Sequence, residues 1–405
     1  MANIKNIMYC EGNTDGTIGG SFYSLLYLVR GLDKSKYNPT VVFHSHHALI
    51  SEYENAGIKT LIIHHYKPVS ITINIKSLLF LNKIIGKIQK LFNLAGYLIL
   101  SSFRYSRLLK QHKVDLLHLN NSILRNNDWM IAAFISGIPC ITHERGINNH
   151  YPFIPRFISK YLKAIISISN SVTNTLINNG IVNKNIVTIY NGIDPIDVIN
   201  KVSNQDMLRT LNINNEINVI GVIGNIREWK GQEVAVRAMS IITDKYPNTV
   251  CLLIGDTAPC DLAYQKRLKT IINKLGLDNK IIFTGYIKNI ADYLNILQIV
   301  LHTSIEPEPF GRVLIEAMSL SKPLIAAKDG AIPEIIENEK SGLVFNPGDH
   351  EHLAQSVIRL IKDRTFAENM GQAGYKRLMD HFHIKVNVEK TQNLYTEIFR
   401  INKVN

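Results

Sequence analysis

EPEPFGRVLIEAMSLSKPLIAAKDGAIPEIIENEKSGLVFNPGD, residues 306–349, is the stretch from which the fold can be read. Pro307, Pro309 and Gly311 interrupt regular structure, so a loop precedes a helix that starts near Arg312. The runs 323–326 (PLIA) and 342–345 (GLVF) read as short buried strands, with turn-forming Gly, Pro and Asp between them. Strands separated by a helical pattern belong to a parallel sheet covered by helices.

The same alternation extends along the whole chain. In the first half, strand-like runs occur at 4–9, 39–43, 58–63, 114–119, 138–142, 163–168 and 185–190. A second series begins at 217–223 and continues at 249–254, 280–283 and 298–301 before the stretch quoted above. Helical patterns lie between most of them. The expected fold class is therefore α/β, with two successive doubly wound, Rossmann-like domains. The polar connection Asn191–Asn215, with Gly192 and Pro195 as turn formers, joins them. The boundaries are expected at residues 1–194 and 195–383, with a last helix beyond His383.

Composition narrows the partners. The chain has 405 residues, 46% of them hydrophobic, which is enough for two cores. Its formal net charge is +12, favouring anionic partners such as nucleotide phosphates or a negatively charged membrane. No zinc-finger spacing, recognition helix or RNA-binding aromatic signature accompanies the charge, so nucleic acid is not expected. The four cysteines form no C-x-x-C pair. Three of them lie in or beside apolar runs, which suits a reducing compartment. Lys5 interrupts the first apolar run, and no stretch of 18 apolar residues occurs. The expected location is the cytoplasm, free or peripheral on the inner face of the plasma membrane.

Candidate chemistry is concentrated in the second half. Glu308 falls in the loop and Glu316 one turn into the following helix. Between them, the backbone N–H groups of Phe310, Gly311, Arg312 and Val313 open a helix at its positive end, a setting suited to a diphosphate. Each carboxylate can accept two hydrogen bonds from a vicinal diol, and each also reads as an ordinary solvated glutamate when taken alone. The stretch 221–231, GVIGNIREWKG, ends a strand at the mouth of the second sheet. Arg227 and Lys230 could there neutralise charge on a departing phosphate without Mg²⁺. In the first half, Gly19 and Gly20 precede a helix, as a phosphate-approach loop or a simple tight turn.

Taken in order, Glu308/Glu316, Gly330–Pro333–Glu334 and Gly342–Pro347–Gly348 resemble the E-x7-E, G-x-P-E and G-hydrophobic-hydrophobic-x-P-G elements of the family 4 retaining glycosyltransferases. The resemblance is strongest over 217–350. It implies the GT-B architecture, two Rossmann-like domains facing a cleft, with the C-terminal helix 384–405 crossing back onto the first. It also implies a retaining, metal-independent transfer from a nucleoside-diphosphate sugar to a glycan or polyprenyl-linked acceptor in surface polysaccharide synthesis, with no cofactor. Under it, Lys230 and Arg227 assist the leaving diphosphate, Glu308 holds the sugar and Glu316 the ribose. Gly19 and Gly20 become the Gly-Gly loop on the donor, and Tyr286 a contact to the base. His143, in CITHERG, orients hydroxyls, with Glu144 and Arg145 as acceptor-side candidates. One departure stands out: Asn225 occupies the usual arginine position, two residues before Arg227. A sugar-nucleotide epimerase of the same architecture and a catalytically silent homologue remain alternatives.

Residues 75–100 form a long amphipathic pattern. Lys76, Lys83, Lys87 and Lys90 share one narrow face, and Leu81, Ile84, Ile85, Ile88, Leu91, Phe92 and Ile99 the broad other side. Two arrangements fit: a helix packed on the core by its apolar side, or a helix lying on an anionic membrane surface.

Overall fold

The structure, a computed structural model, describes residues 4–12, 19–70, 81–287 and 289–404. Two compact units emerge: Met1–Ile168 with Val172–Ile189 and Val388–Asn405, and Tyr190–Asn387 with Ser169–Ser171.

The first unit is built on strands β1 (Lys5–Cys10), β2 (Tyr37–Phe43), β3 (Lys59–Ile62), β4 (Leu116–Leu119), β5 (Cys140–Glu144), β6 (Ala164–Ser167) and β7 (Ile186–Thr188). They are parallel throughout, in the order β3-β2-β1-β4-β5-β6-β7. Central strands such as β4 (LLHL) and β6 (AIIS) are buried at every residue, which suits their mostly apolar sequences. Helices α1 (Gly20–Gly31), α2 (Ile50–Asn55), α3 (Leu81–Ala95), α4 (Ser101–Gln111), α5 (Asn127–Ser136), α6 (Phe153–Ser159) and α7 (Asn170–Asn178) connect them. Trp129 of α5 stacks on Tyr105 of α4 with ring centroids 4.0 Å apart, at the centre of the Met8, Leu117, Leu119 and Ile165 core.

The second unit repeats the plan with β8 (Asn218–Ile223), β9 (Thr249–Ile254), β10 (Ile281–Gly285), β11 (Ile299–His302), β12 (Leu324–Ala327) and β13 (Leu343–Phe345). The order is β10-β9-β8-β11-β12-β13, again all parallel. Helices α8 (Asn204–Thr210), α9 (Gln232–Lys245), α10 (Leu262–Lys274), α11 (Ile290–Ile296), α12 (Arg312–Ser319), α13 (Ile332–Ile335), α14 (His350–Lys362) and α15 (Arg364–Arg377) surround it. Helix α9 buries Val234, Ala235, Ala238, Met239 and Ile242, the repeat of a helix lying along a sheet.

The last helix, α16 (Ile384–Val404), begins in the second unit and is shared with the first from Val388 onward. Its Tyr395 is fully buried, with its hydroxyl 2.8 Å from that of Tyr9 in β1 and 2.5 Å from Nδ1 of His118 in β4. Compared with the boundaries read from sequence, the break falls at 189/190 rather than 194/195, and at 387/388 rather than 383/384. The reason is local pairing. Ile193 N–H donates to the Phe382 carbonyl, and Ile384 N–H donates to that of Ile193, so these two chain segments hold each other. A Cβ on Gly192 would lie 2.8 Å from the Ile384 Cα, so only glycine permits the approach.

Among the described residues, no helix is long and apolar enough to cross a membrane. Cys10, Cys140 and Cys251 are buried free thiols and Cys260 is exposed.

Tyr395→Phe should cost about 1–3 kcal/mol, because it removes one hydroxyl and leaves two buried polar partners to find others. Urea unfolding monitored by circular dichroism measures this; an unchanged midpoint would contradict the role given to that hydroxyl.

Candidate active site

The chemistry of the second unit gathers at the carboxyl ends of β8 and β11, where open parallel sheets bind ligands. After β8 the chain turns through Gly224 and a short 3-10 segment, Glu228–Lys230, before α9. Gly231 closes this turn at φ +64°, and a Cβ there would sit 2.0 Å from the Thr303 carbonyl oxygen. Glycine is therefore required for the turn to lie against the end of β11. Two bonds fix the contact: Thr303 Oγ1 donates to the Lys230 carbonyl, and Ile305 N–H donates to that of Trp229.

This placement carries Lys230 onto Glu308. Lys230 Nζ donates to Glu308 Oε2 at 2.6 Å, and the same oxygen lies 3.2 Å from His302 Nε2 and 3.3 Å from Ser304 Oγ. Burial pushes the Glu308 carboxyl upward, but the His302 hydrogen bond and the Lys230 charge outweigh it and hold the group down at about 2. Glu308 is thus an ionised carboxylate in a nearly dry setting. Its loop rests on Gly330, where φ is +58° and a Cβ would meet the Glu308 carbonyl oxygen at 2.3 Å. Ala331 N–H donates to that carbonyl.

Helix α12 begins immediately after Gly311, which is left-handed at φ +84°. No acidic residue occupies its first turn, so the positive end of the helix is not offset there. Glu316 lies one turn in and pairs with Arg312 at 2.9 Å on a half-buried face. Phe310 is buried and packs on the rings of Tyr190 and Phe382, so its side chain anchors the loop and leaves only its backbone for a ligand. Val313 is the second residue of α12.

The other residues read from sequence lie differently. Arg227 directs Nε to Asp261 Oδ2 at 3.2 Å, so Lys230 rather than Arg227 meets Glu308. Asn225 is exposed, and its carbonyl accepts from Gln232 Nε2. Tyr286 follows β10 and is 77% exposed. Glu334, part of the Gly-Pro-Glu element, accepts from the backbone N–H groups of Asn170 and Ser171 and from the Tyr190 hydroxyl. It therefore holds chain segments together.

In the first unit, strand ends converge on a second polar cluster. Gly19 caps α1 and Gly20 is its first residue, with open space where a Gly19 Cβ would be. His143, at the end of β5, is buried, with Nδ1 2.7 Å from His118 Nε2. Since His118 Nδ1 meets Tyr395, a chain of hydrogen bonds runs from Tyr9 through Tyr395 and His118 to His143. Burial, reinforced by the Arg145 charge, holds His118 down at about 3 and His143 well below its usual value. Both rings are neutral, so within the pair one nitrogen donates and the other accepts. Glu144 is fully buried, and its oxygens accept from Ser122, Ile123 and Asn148. Its neighbour Arg145 donates to the carbonyl and side-chain oxygens of Asn120, both at 2.7 Å.

The model of Glycosyltransferase Family 4 matches residues 18–196, and that of Glycosyl transferases group 1 matches residues 203–377. The chain belongs to the family 4 glycosyltransferases. This glycosyltransferase is 24% identical over 325 residues to N-acetyl-alpha-D-glucosaminyl L-malate synthase of Bacillus anthracis, covering 77% of the chain and 82% of the relative. It is 26% identical to the capsular polysaccharide biosynthesis glycosyltransferase CapM of Staphylococcus aureus, over 58% of the chain and 62% of CapM. The solved structure of a glycosyltransferase from Rickettsia africae superposes with a TM-score of 0.79 at 22% identity, over 98% of this chain and 99% of that one. HepE of Anabaena in complex with UDP gives 0.78 at 22%, over 97% and 100%. The fold of the enzyme is GT-B, with two parallel-sheet α/β domains.

Several residues of these clusters escaped the reading of the sequence, Tyr395 among them. His302 and Ser304 contact Glu308 from the end of β11, and the HTS run just before the glutamate loop was the available signal. Glu11 is fully buried at the end of β1 and accepts from Asn120 and Asn121, with its carboxyl pushed upward by burial. It lies in the turn already singled out for Gly19 and Gly20.

Lys230→Ala should leave Glu308 buried without its cation and destabilise the enzyme by about 3–5 kcal/mol. Adding Glu308→Gln should recover part of that loss, as urea unfolding of the two single variants and the double variant would reveal; strict additivity would refute the coupling. A second expectation concerns pH. Burial raises the Glu144 carboxyl from 4.5 to about 7, so the folded state holds this proton more tightly than the unfolded chain. Stability from this group is therefore lost as pH rises from 4.5 to 7, by on the order of 3 kcal/mol. Unfolding at pH 5 and pH 7.5 should show that loss in the wild type and a smaller one in Glu144→Gln.

Proposed function

We propose that this glycosyltransferase moves a hexose from a nucleoside-diphosphate sugar to a hydroxyl of a glycan or polyprenyl-linked oligosaccharide, with retention of anomeric configuration and without a metal ion. The observation that carries this reading is the buried Lys230–Glu308–His302 group beside the N-terminal end of α12. Before the donor arrives, Glu308 balances Lys230. A diphosphate at the start of α12 would compete for the lysine and free the carboxylate to accept from sugar hydroxyls. Glu316 is assigned to the ribose, and His143 to orienting hydroxyls.

Bond changes balance without a protein nucleophile. The acceptor oxygen bonds to the anomeric carbon on the face from which the β-phosphate oxygen departs. The departing phosphate takes the proton of the attacking hydroxyl. Negative charge grows on that phosphate in the transition state, where Lys230 and the α12 amides are already oriented. Arg227 would add to this charge stabilisation once released from Asp261. The HepE structure holds UDP, and a related HepE structure holds UDP-glucose, which supports a nucleotide-sugar donor here. The relatives CapM and the lipopolysaccharide core mannosyltransferase LpsB of Rhizobium meliloti support a role in bacterial surface polysaccharide synthesis. The match spans 52% of LpsB. An acceptor of that kind places the enzyme at the inner face of the plasma membrane as a peripheral protein.

Thermal-shift screening against UDP-, GDP-, ADP- and dTDP-hexoses should raise the melting temperature for one base class. With that donor and a polyprenyl-linked acceptor, nuclear magnetic resonance of the product should show the donor's anomeric configuration, with turnover unaffected by EDTA. Lys230→Ala should lower kcat by about 10²–10³. An inverted product or EDTA-sensitive turnover would sink the mechanism. Interconversion of the donor sugar without any acceptor would instead identify an epimerase.

A further inference from the structure

The net charge of the chain is not shared between its halves. Residues 1–189 carry 20 lysines and arginines against 8 acidic residues, whereas residues 190–405 carry 25 of each. The excess of +12 thus belongs entirely to the first part. Within it, no acidic residue occurs between Glu54 and Asp115, or between Glu144 and Asp194. Helix α3 lies in the first of these acid-free stretches and α6 in the second.

Among the described residues, helix α3 does not pack by its apolar side. Asn93 is bonded on its inner side, accepting from the Val69 N–H and donating to the Val69 carbonyl. Gly96, just past the helix, lies against the Tyr66 ring, where a Cβ would come within 2.6 Å of a ring carbon. Small and polar residues therefore face inward, and Ile84, Ile88, Leu91 and Phe92 face solvent, Leu91 with 71% of its surface exposed. Of the lysine stripe, Lys87 and Lys90 are exposed beside them. Lys76 lies outside the described residues, as does the side chain of Lys83.

Helix α6 continues the surface. Phe153 is 79% exposed, and its ring is followed by those of Phe157, Tyr161 and Phe134 in a chain of aromatic contacts. A cavity of about 300 Å³ between Leu94, Tyr97 and Leu98 on one side and Phe153 and Pro155 on the other makes the two apolar sets neighbours. Arg156, Lys160 and Lys163 are exposed along the second set.

From these observations we infer that α3 and α6 together form one face that docks the first unit on an anionic lipid bilayer, aromatic and aliphatic side chains entering the headgroup region and the bases meeting lipid phosphates. The inference deepens the peripheral placement proposed above and rests on it. Exposed large apolar side chains in a contiguous patch mark an interaction surface. Their exposed basic neighbours, carried on stretches of sequence without acidic residues, select an anionic partner. A second copy of the same face would instead bring lysine and arginine against lysine and arginine.

Flotation of the full chain with vesicles of equal phosphatidylglycerol and phosphatidylcholine, against phosphatidylcholine alone, tests this. Binding to the anionic vesicles should be at least about tenfold stronger and should weaken at 0.5 M salt. Leu91→Glu with Phe157→Glu, and separately Lys87→Glu with Lys160→Glu, should each reduce binding about tenfold. Slow donor hydrolysis in vesicle-free buffer should be unchanged in both variants, which shows that they fold. Equal flotation by wild type and variants would overturn the inference. So would a vesicle-independent dimer that Leu91→Glu dissociates. Loss of flotation with transfer to a water-soluble acceptor preserved keeps the two readings separate: the variants then lack docking, not catalysis. Conversely, flotation as expected with no transfer to any lipid-linked acceptor would overturn the acceptor assignment and leave the docking face standing.

Discussion

Much of the second unit is arranged around one difficult group, the Glu308 carboxylate. An ionised carboxyl out of water is costly unless a cation and hydrogen bonds are held against it. Lys230 supplies the cation, and His302 and Ser304 supply donors, from two different chain segments. Bringing those segments within bonding distance leaves no room for side chains at Gly231 and Gly330, each of which has backbone oxygen where a Cβ would go. The glycines of the Lys-Gly and Gly-Pro-Glu elements thus act through the glutamate rather than on a ligand directly.

The first unit solves a similar problem with neutral groups. His118 and His143 lie stacked and buried, and neither carries charge at neutral pH. Their alignment depends on Tyr395, which comes from the last helix of the chain, 277 residues beyond His118. The end of the sequence therefore completes the strand ends of the first sheet. Beside this chain, Glu11, Asn120 and Arg145 tie together the ends of β1, β4 and β5. Glu144, an acceptor-side candidate under the family resemblance, is buried and accepts from Ser122, Ile123 and Asn148.

Charge and hydrophobicity are partitioned as unevenly as chemistry. The second half is electrically balanced and the first is strongly basic. The amphipathic pattern of α3 allowed two arrangements, because periodicity reports which residues share a face but not which face is turned inward. Asn93 and Gly96 decided it. A polar side chain that satisfies a loop backbone and a glycine that admits a tyrosine ring form the inner contact, leaving Ile84, Ile88, Leu91 and Phe92 outside.

Local sequence alone determined the alternation of strand and helix, the two sheets, and the loop that carries Glu308 into the start of α12. Each of these follows from short-range rules: burial of β-branched runs, exclusion of proline from helices, and the unpaired amides that open a helix. The family resemblance added the roles proposed for Lys230, Glu308 and Glu316. Tertiary structure decided which groups meet. It set Lys230, not Arg227, against Glu308, turned Arg227 to Asp261, and recruited His302 and Tyr395, whose partners are remote in sequence or hidden by burial. The physical reason is that ion pairs and buried hydrogen bonds depend on distances of a few ångströms between segments tens to hundreds of residues apart, and no periodicity in the chain encodes them.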